Sequence, residues 1–377
     1  MQPELSYLHF SYFFITPLIA FAANEKYAPY ISVTIESIIE NSKSDVNYRF
    51  YVLYSNISDN MRLRLEDIKG KNYKTNCINV SKLCTSGMYE SAYFSKEMYY
   101  RIMIPEIFQS YNKVIYLDCD IVVLGDLSEL YTIDISNCLI AGVRNLMHDK
   151  MKSYIKFSLE LDSDKYINSG VIIFNCDKCR RENFTSRSFE MLECRQDFRY
   201  PDQDLINMMA VNQIYYLDPR WNFTWHYRHL QESTNELLHL SEKDFEKFCQ
   251  IEANPFLIHY TGEIKPWNNA NKFLSDYFWK YAVNSNFFSL YIKRFIASSQ
   301  SDNVNIKKLK ELQDAIIQLT EKMELLEKKT SNNRFEIIND DMYNKMIDAS
   351  GMGKVGLKTI LAMLKGWFKF KIFHKNK

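Results

Sequence analysis

The run Lys113-Val114-Ile115-Tyr116-Leu117-Asp118-Cys119-Asp120-Ile121-Val122-Val123-Leu124 places two acids inside an otherwise apolar stretch. Apolar and aromatic residues in such a run predict a buried strand that ends in carboxylates. Burying a bare carboxylate is costly. A fold that contains this strand must therefore supply a counter-charge at its end. A divalent cation with oxygen ligands is the simplest one. On an extended backbone Asp118 and Asp120 point to the same side, so both can share one metal.

Strand and helix patterns alternate through the first two-thirds of the chain. Leu18-Ile19-Ala20-Phe21-Ala22-Ala23 reads as the first buried strand. A helix opening at Pro29 follows, with Ile31, Ile35, Ile38 and Ile39 at helical spacing. Residues 48–54 read as a strand, and Ser58 can cap a helix over 59–69. Ile78 and Val80 mark a short strand, and 98–108 reads as a helix leading into the Asp118 strand. Leu139 to Val143 and Val171 to Phe174 are further strands, with a helix over about 180–194. This order predicts an α/β domain with a mixed, mostly parallel sheet flanked by helices. In such sheets ligands collect beyond the carboxyl ends of the strands, where the Asp118/Asp120 pair lies. Residues 145–166 read either as a lid or as an ordinary helical excursion.

With 377 residues, 46% of them hydrophobic, the chain can bury an ample core. Its eight cysteines are scattered, which is not a small disulfide framework and fits a reducing compartment. Cys176-Asp177-Lys178-Cys179 is a lone C-x-x-C and a weak metal or redox signal. Near the start, Leu5 to Ala23 is apolar and aromatic but has no basic flank. We read 1–16 as an extension without an assigned role, with a signal anchor as the alternative.

The net charge of +1 is unevenly spread. After Asp348 there is no acid, and seven lysines follow. The body is thus net acidic, which excludes a general nucleic-acid surface. Leu309, Leu312, Ile316, Leu319, Met323 and Leu326 form a short heptad seam. It fits a short coiled coil that pairs two copies of the chain, or a helix packed on its own body. Residues 354–371 set lysines on one helix face and Leu357, Ile360, Leu361, Leu364, Trp367 and Phe368 on another. That pattern fits a helix lying in an anionic membrane surface.

Three more segments join apolar strands to ligand-grade residues. Tyr166-Ile167-Asn168-Ser169-Gly170 enters a buried strand through small and amide residues. Small residues admit a ligand close to the backbone, although a plain turn has the same composition. Asp202-Gln203-Asp204 sits at a helix start, where capping alone would also favour acids. His259 precedes Gly262 and Lys265-Pro266-Trp267. A neutral His can complete an acid-bound metal site, and a Lys can meet phosphate charge.

Together and in this order, from about Leu18 to Trp267, these segments resemble the family 8 glycosyltransferases. That retaining group contains glycogenin and the bacterial lipopolysaccharide galactosyl- and glucosyltransferases. Phe21-Ala22-Ala23-Asn24-Glu25-Lys26-Tyr27 and Tyr100-Arg101 belong to the match. The resemblance implies a GT-A fold, Rossmann-like, with a UDP-hexose donor and Mn2+ or Mg2+ as cofactor. It implies Asp118, Asp120 and His259 as metal ligands. It places Ala22, Asn24, Lys26, Tyr27, Arg101, Cys119, Asn168, Ser169, Gly170, Gly262 and Lys265 around the donor. Tyr27 would stack on the base, and Gln203 would lie beneath the anomeric carbon with Asp202 beside it. Asn24 departs from the acid often found in bacterial members, but its side-chain oxygen can accept from uracil N3–H. Because an amide is a poor nucleophile, same-face substitution is favoured over a covalent intermediate, with Gln203 and Asp202 stabilising positive charge.

The implied organisation is an extension over 1–16, a GT-A catalytic domain over 17–300, a helical segment over 301–330 and a membrane-associating tail over 331–377. The implied role is transfer of glucose or galactose to a lipopolysaccharide or lipooligosaccharide core, or to another surface glycan. A priming transferase for protein or glucan, and a catalytically silent sugar-nucleotide-binding or scaffold protein, are the alternatives. The implied place is the cytoplasmic side of the cell membrane, held peripherally through 351–377. Deleting 351–377 is expected to release the chain from anionic liposomes in a flotation assay while sparing turnover of a soluble acceptor. Unchanged liposome binding after the deletion refutes the tail's assignment.

Overall fold

Leu18-Ile19-Ala20-Phe21-Ala22 is buried along its whole length, and alternate residues feed opposite cores. The computed structural model describes residues 16–43, 45–83, 88, 95–147, 149–224, 249–268 and 273–298. Residues 1–15, the heptad seam 309–326 and the basic tail 351–377 lie outside the described residues. The strands are β1 (Leu18–Ala22), β2 (Tyr48–Tyr54), β3 (Lys69–Gly70), β4 (Tyr73–Asn79), β5 (Lys113–Leu117), β6 (Ile121–Val123), β7 (Ile140–Arg144), β8 (Ile167–Asn175), β9 (Ile214–Tyr216), β10 (Phe223–Thr224) and β11 (Leu257–His259).

Eight strands form one sheet in the order β3-β4-β2-β1-β5-β8-β7-β9. The pairs β4·β2, β2·β1, β1·β5 and β7·β9 are parallel, while β8 runs against both its neighbours. Ile19, Phe21, Ile115, Leu117 and Ile173 pack on one face with the helices Ile31–Glu40 and Ser275–Ala282. Leu18, Ala20, Val114, Tyr116 and Ile172 pack on the other with Phe184–Cys194 and Pro201–Met209. Each large apolar side chain buried this way contributes about 1.5–3 kcal/mol. The chain runs outward from β1 to β2 and β4, then returns to β5 on the opposite side of β1. Such a reversal opens a crevice beyond the carboxyl ends of β1 and β5.

The apolar run 113–124 is two strands, not the single strand expected. β5 ends at Leu117, and β6 belongs to a three-stranded sheet ordered β10-β11-β6. Asp118-Cys119-Asp120 is the crossing. The Asp118 N–H still pairs with the Gly170 carbonyl at 2.9 Å, and the Asp120 carbonyl already accepts Tyr260 N–H at 2.9 Å. Hydropathy cannot show this crossing, because both strands are equally buried.

Other boundaries move for local reasons. The expected helix over 98–108 is a 3-10 stretch, Lys96–Met103, followed by one α-turn, Ile104–Ile107, where Pro105 lacks an N–H. The helix capped by Ser58 stops at Glu66, because Lys69–Gly70 pairs against β4. The helix expected over 180–194 is two, Cys176–Arg181 and Phe184–Cys194, parted at Asn183 with φ 53°. The short strand expected at Ile78 and Val80 spans Tyr73–Asn79. Within 145–166, Asp149–Phe157 is a helix anchored by buried Met151 and Ile155.

β6 has an open edge, and the helix Ile31–Glu40 closes it with side chains. Thr34 Oγ1 donates to the Ile121 carbonyl at 2.7 Å, and Ser37 Oγ accepts Val123 N–H at 2.9 Å. Asn41 Nδ2 donates to the Val123 carbonyl at 3.1 Å. A buried backbone group without a partner costs about 1–3 kcal/mol. Replacing Thr34→Val and Ser37→Ala together is expected to destabilise the chain by about 2–4 kcal/mol. A lower urea midpoint at unchanged m-value would report it. An unshifted midpoint would mean these hydroxyls do not secure the edge.

Candidate active site

The crossing presents Asp118 and Asp120 toward His259, the last residue of β11, which pairs with Ile121. His259 Nε2 lies 3.2 Å from Asp120 Oδ1 and 3.6 Å from Asp118 Oδ2. One ligand atom from each of the three lies within 4.8 Å of the others. The ring is oriented from behind. His259 Nδ1 is 2.9 Å from Asn222 Oδ1, and Asn222 Nδ2 donates to Asn168 Oδ1 at 2.8 Å. That network assigns the imidazole proton to Nδ1 and turns the Nε2 lone pair toward the two carboxylates. Three electron-rich atoms facing one point repel one another without a cation between them. Two carboxylates and one imidazole fit a divalent ion such as Mn2+ or Mg2+.

Gly170 forms the wall of this cradle. A Cβ there would stand 2.2 Å from His259 Cε1 and 2.7 Å from Asp118 Oδ2. Glycine is therefore needed for space, as its place before a buried strand suggested.

Two cations neutralise the acids. Lys265 Nζ donates to Asp120 Oδ2 and, at 2.7 Å, to the Tyr260 carbonyl. Burial alone would raise the Asp120 carboxyl, but the Lys265 ammonium is the strongest opposing influence, and the group lies well below the usual carboxylate range. Arg101 is buried and reaches both Asp118 at 2.8 Å and Asp202 at 3.1 Å. It also donates to the Ser169 carbonyl and hydroxyl at 2.9 and 3.0 Å, and lies over the Tyr116 ring. Burial disfavours its charge, yet Asp118 and Asp202 hold it protonated. For Asp202 burial dominates and lifts its carboxyl above the usual range, with Arg101 opposing.

Gln203 is fixed on all sides. Its Oε1 accepts Asn168 Nδ2 and Ser169 N–H, each at 3.1 Å, and its Nε2 donates to the Tyr166 hydroxyl at 3.2 Å. The Tyr166 hydroxyl donates to buried Asp204, which also accepts Tyr154 O–H at 2.7 Å and Tyr200 N–H at 3.0 Å. Ser169 Oγ donates to Asp202 at 3.0 Å. Asn207 ties the helix Pro201–Met209 to β8 by bonding both the N–H and the carbonyl of Ile167, at 2.8 and 2.9 Å.

A second group of predicted residues gathers after β1. Cys119 Sγ contacts the Ala22 carbonyl at 3.1 Å, joining the Asp118–Asp120 crossing to this turn. Asn24 Oδ1 accepts the N–H groups of Lys26 and Tyr27, each at 3.1 Å. The oxygen expected to meet a base thus builds the turn instead, which leaves the amide's NH2. Lys26 is exposed, and the half-buried Tyr27 ring meets Trp267 edge-on at 6.2 Å. Gly262, exposed between His259 and Lys265, has φ 84°, which favours glycine.

Sequence reasoning missed Tyr116, Tyr154 and Asn222 as parts of the site. Tyr116 O–H donates to Asp118 at 2.8 Å, though its strand position reads as core. Asn222 carries no local signal, because its role depends on β10 lying beside β11. Tyr166 and Asp204 were within quoted motifs but without a role.

The sequence pattern of glycosyl transferase family 8 matches residues 18–271. General stress protein A of Bacillus subtilis (strain 168) is 29% identical over 265 residues, which cover 68% of this chain and 90% of that protein. Lipopolysaccharide 1,2-glucosyltransferase of Escherichia coli K12 is 24% identical over 276 residues, covering 71% and 77%. The solved galactosyltransferase LgtC, in complex with donor and acceptor sugar analogs, has the same fold. Its TM-score is 0.58 at 24% identity, covering 71% of this chain and 96% of that one.

Replacing Gly170→Ala is expected to weaken Mn2+ binding by roughly 10–100-fold, since it displaces His259 and Asp118. Titration of free Mn2+ by electron paramagnetic resonance would measure it, with circular dichroism as the folding check. Undiminished affinity in a folded variant removes this cluster as the metal site.

Proposed function

The chain belongs to glycosyl transferase family 8 and is a glycosyltransferase, and from that premise we propose a metal-dependent, retaining hexosyltransferase that uses a UDP-sugar. The observation that carries this is the convergence of Asp118, Asp120 and His259 on one point, with Lys265 on Asp120 and Arg101 joining Asp118 to Asp202. Asp118, Asp120 and His259 would hold Mn2+ or Mg2+. A divalent cation bound there supplies Lewis-acid neutralisation of the diphosphate.

The chain's own groups do the rest. Lys265 is bound to one carboxylate and one carbonyl, so its ammonium retains a donor for a phosphate oxygen. Gly262 lets the backbone turn between His259 and Lys265. Arg101, Asn168, Ser169 and Asp202 line the sugar end. Gln203, held by fixed hydrogen bonds, presents a carboxamide that is neutral and a poor nucleophile. That favours same-face substitution, with Gln203 and Asp202 stabilising positive charge at the anomeric carbon. Ala22, Asn24, Lys26, Tyr27 and Cys119 form the nucleotide end, Tyr27 offering the ring.

The named relative from Escherichia coli acts on lipopolysaccharide. We extend the acceptor class to this chain: a lipopolysaccharide or lipooligosaccharide core, or another surface glycan, accepting glucose or galactose. Among the described residues no helix is long and apolar enough to cross a membrane. A peripheral position at the cytoplasmic face, through the basic tail 351–377, fits a lipid-linked acceptor. Pairing through 309–326 remains part of this proposal.

A screen of UDP-sugars for Mn2+-dependent UDP release tests the reading. The expected result is turnover of UDP-glucose or UDP-galactose that falls at least ~100-fold in Asp120→Asn. Metal-independent turnover, or none from any UDP-sugar, refutes it.

A further inference from the structure

We infer that the helix Phe288–Ser298 clamps the turn Asn24–Tyr30, with Arg294 and Tyr291 as positioning residues for the donor nucleotide. This rests on the reading of Asn24–Tyr27 as the nucleotide end of the donor site. The family match stops at residue 271, and this helix lies beyond it.

The contacts are specific and polar. Arg294 Nη1 donates to the Lys26 carbonyl at 2.6 Å and to the Tyr30 hydroxyl at 3.1 Å. Its guanidinium also lies over the Tyr30 ring, 5.4 Å from the centroid. One turn earlier in the helix, the buried Tyr291 hydroxyl donates to the Pro29 carbonyl. Ser32 Oγ donates to the same carbonyl at 2.8 Å, and lies 2.7 Å from the Tyr291 hydroxyl oxygen and 2.5 Å from Ser285 Oγ. Hydroxyls 259 residues apart in the chain thus converge on one carbonyl in the turn.

The aromatic rings continue the connection into the site. Tyr30 stacks on Tyr291 at 5.3 Å and on Trp267 at 3.7 Å. Trp267 meets the edge of Tyr27 and follows Lys265 by two residues. At its other end the turn is held by Glu25, whose carboxylate accepts Ser58 N–H at 2.7 Å and Ser58 O–H at 2.9 Å. The turn is held at Glu25 by Ser58 and at Lys26 by the helix Phe288–Ser298. A ligand loop fixed before binding gives up less freedom when the ligand arrives, so its affinity rises.

Charge-assisted hydrogen bonds of this kind are the strong ones. Arg294→Ala should therefore raise the dissociation constant of UDP, measured by calorimetry with Mn2+ on the full chain, by roughly tenfold. Tyr291→Phe keeps the ring and loses the hydroxyl, and roughly a threefold rise is expected. The KM for the UDP-sugar should rise in step, while kcat at saturating donor and Mn2+ affinity stay within about twofold. A merely structural role would move all of these or none. Lys280→Met, which breaks the Lys280–Glu40 pair at 2.6 Å on the helix Ser275–Ala282, should leave UDP affinity unchanged. Tyr27→Ala separates the two readings. If Tyr27→Ala loses UDP affinity while Arg294→Ala and Tyr291→Phe do not, the clamp is overturned alone. If none of the three changes affinity, or the unaltered chain does not bind UDP, the nucleotide assignment falls and the clamp with it.

Discussion

The site depends on a polypeptide that changes sheets within three residues. Asp118 closes the ladder of the large sheet by bonding the Gly170 carbonyl, and Asp120 opens the ladder of the small one by accepting Tyr260 N–H. Each acid is therefore placed by a different sheet. Their common direction does not follow from strand alternation. It follows from the register of β6 on β11, which sets His259 opposite Ile121, and of β5 on β8, which sets Gly170 behind Asp118. The hydroxyls of Thr34 and Ser37 secure the open edge of β6. The convergence of Asp118, Asp120 and His259 thus follows from hydrogen-bond registry.

Around that crossing, Asp118, Asp120, Asp202 and Asp204 each already have a cationic or hydroxyl partner. Lys265 serves Asp120, Arg101 serves Asp118 and Asp202, and tyrosines serve Asp118 and Asp204. Buried carboxylates left bare would be protonated or would destabilise the fold. These partners stabilise the acids as anions. Under the proposed function, a divalent ion held by Asp118, Asp120 and His259 would share in neutralising these carboxylates, and the charge of Lys265 and Arg101 would then be available to a diphosphate-sugar. One set of side chains would serve both stability without ligand and recognition with it.

Much of this was legible in the sequence. The apolar strands, the D-x-D, Asn168-Ser169-Gly170, Asp202-Gln203-Asp204 and His259 with Lys265 carry short-range signals, and the structure links them in one hydrogen-bonded group. What was not legible depends on pairings distant in the chain. Asn222 matters only because β10 lies beside β11. Thr34 and Ser37 look like ordinary helix residues until β6 is set against them. Asn24 was read as a ligand acceptor, but the local turn consumes its oxygen. Tyr116 alternates correctly for the core, and its hydroxyl donates to Asp118 two residues on.

The amide of Gln203 shows how far such placement goes. Asp204 accepts the hydrogen bond of the Tyr166 hydroxyl, so that hydroxyl offers Gln203 only its lone pairs. Ser169 N–H, fixed in β8, offers only a donor. A group between them must accept on one side and donate on the other, and among side chains of this length a neutral carboxamide does both. A carboxylate there would face the Tyr166 oxygen lone pair to lone pair, and would need a proton to fit. The surroundings thus select glutamine by hydrogen-bond polarity, independently of the reaction. They also fix which atom of the amide faces Asn168 and Ser169. The orientation of the Gln203 amide is thus linked through Tyr166 and Asp204 to Tyr154, on the helix Asp149–Phe157.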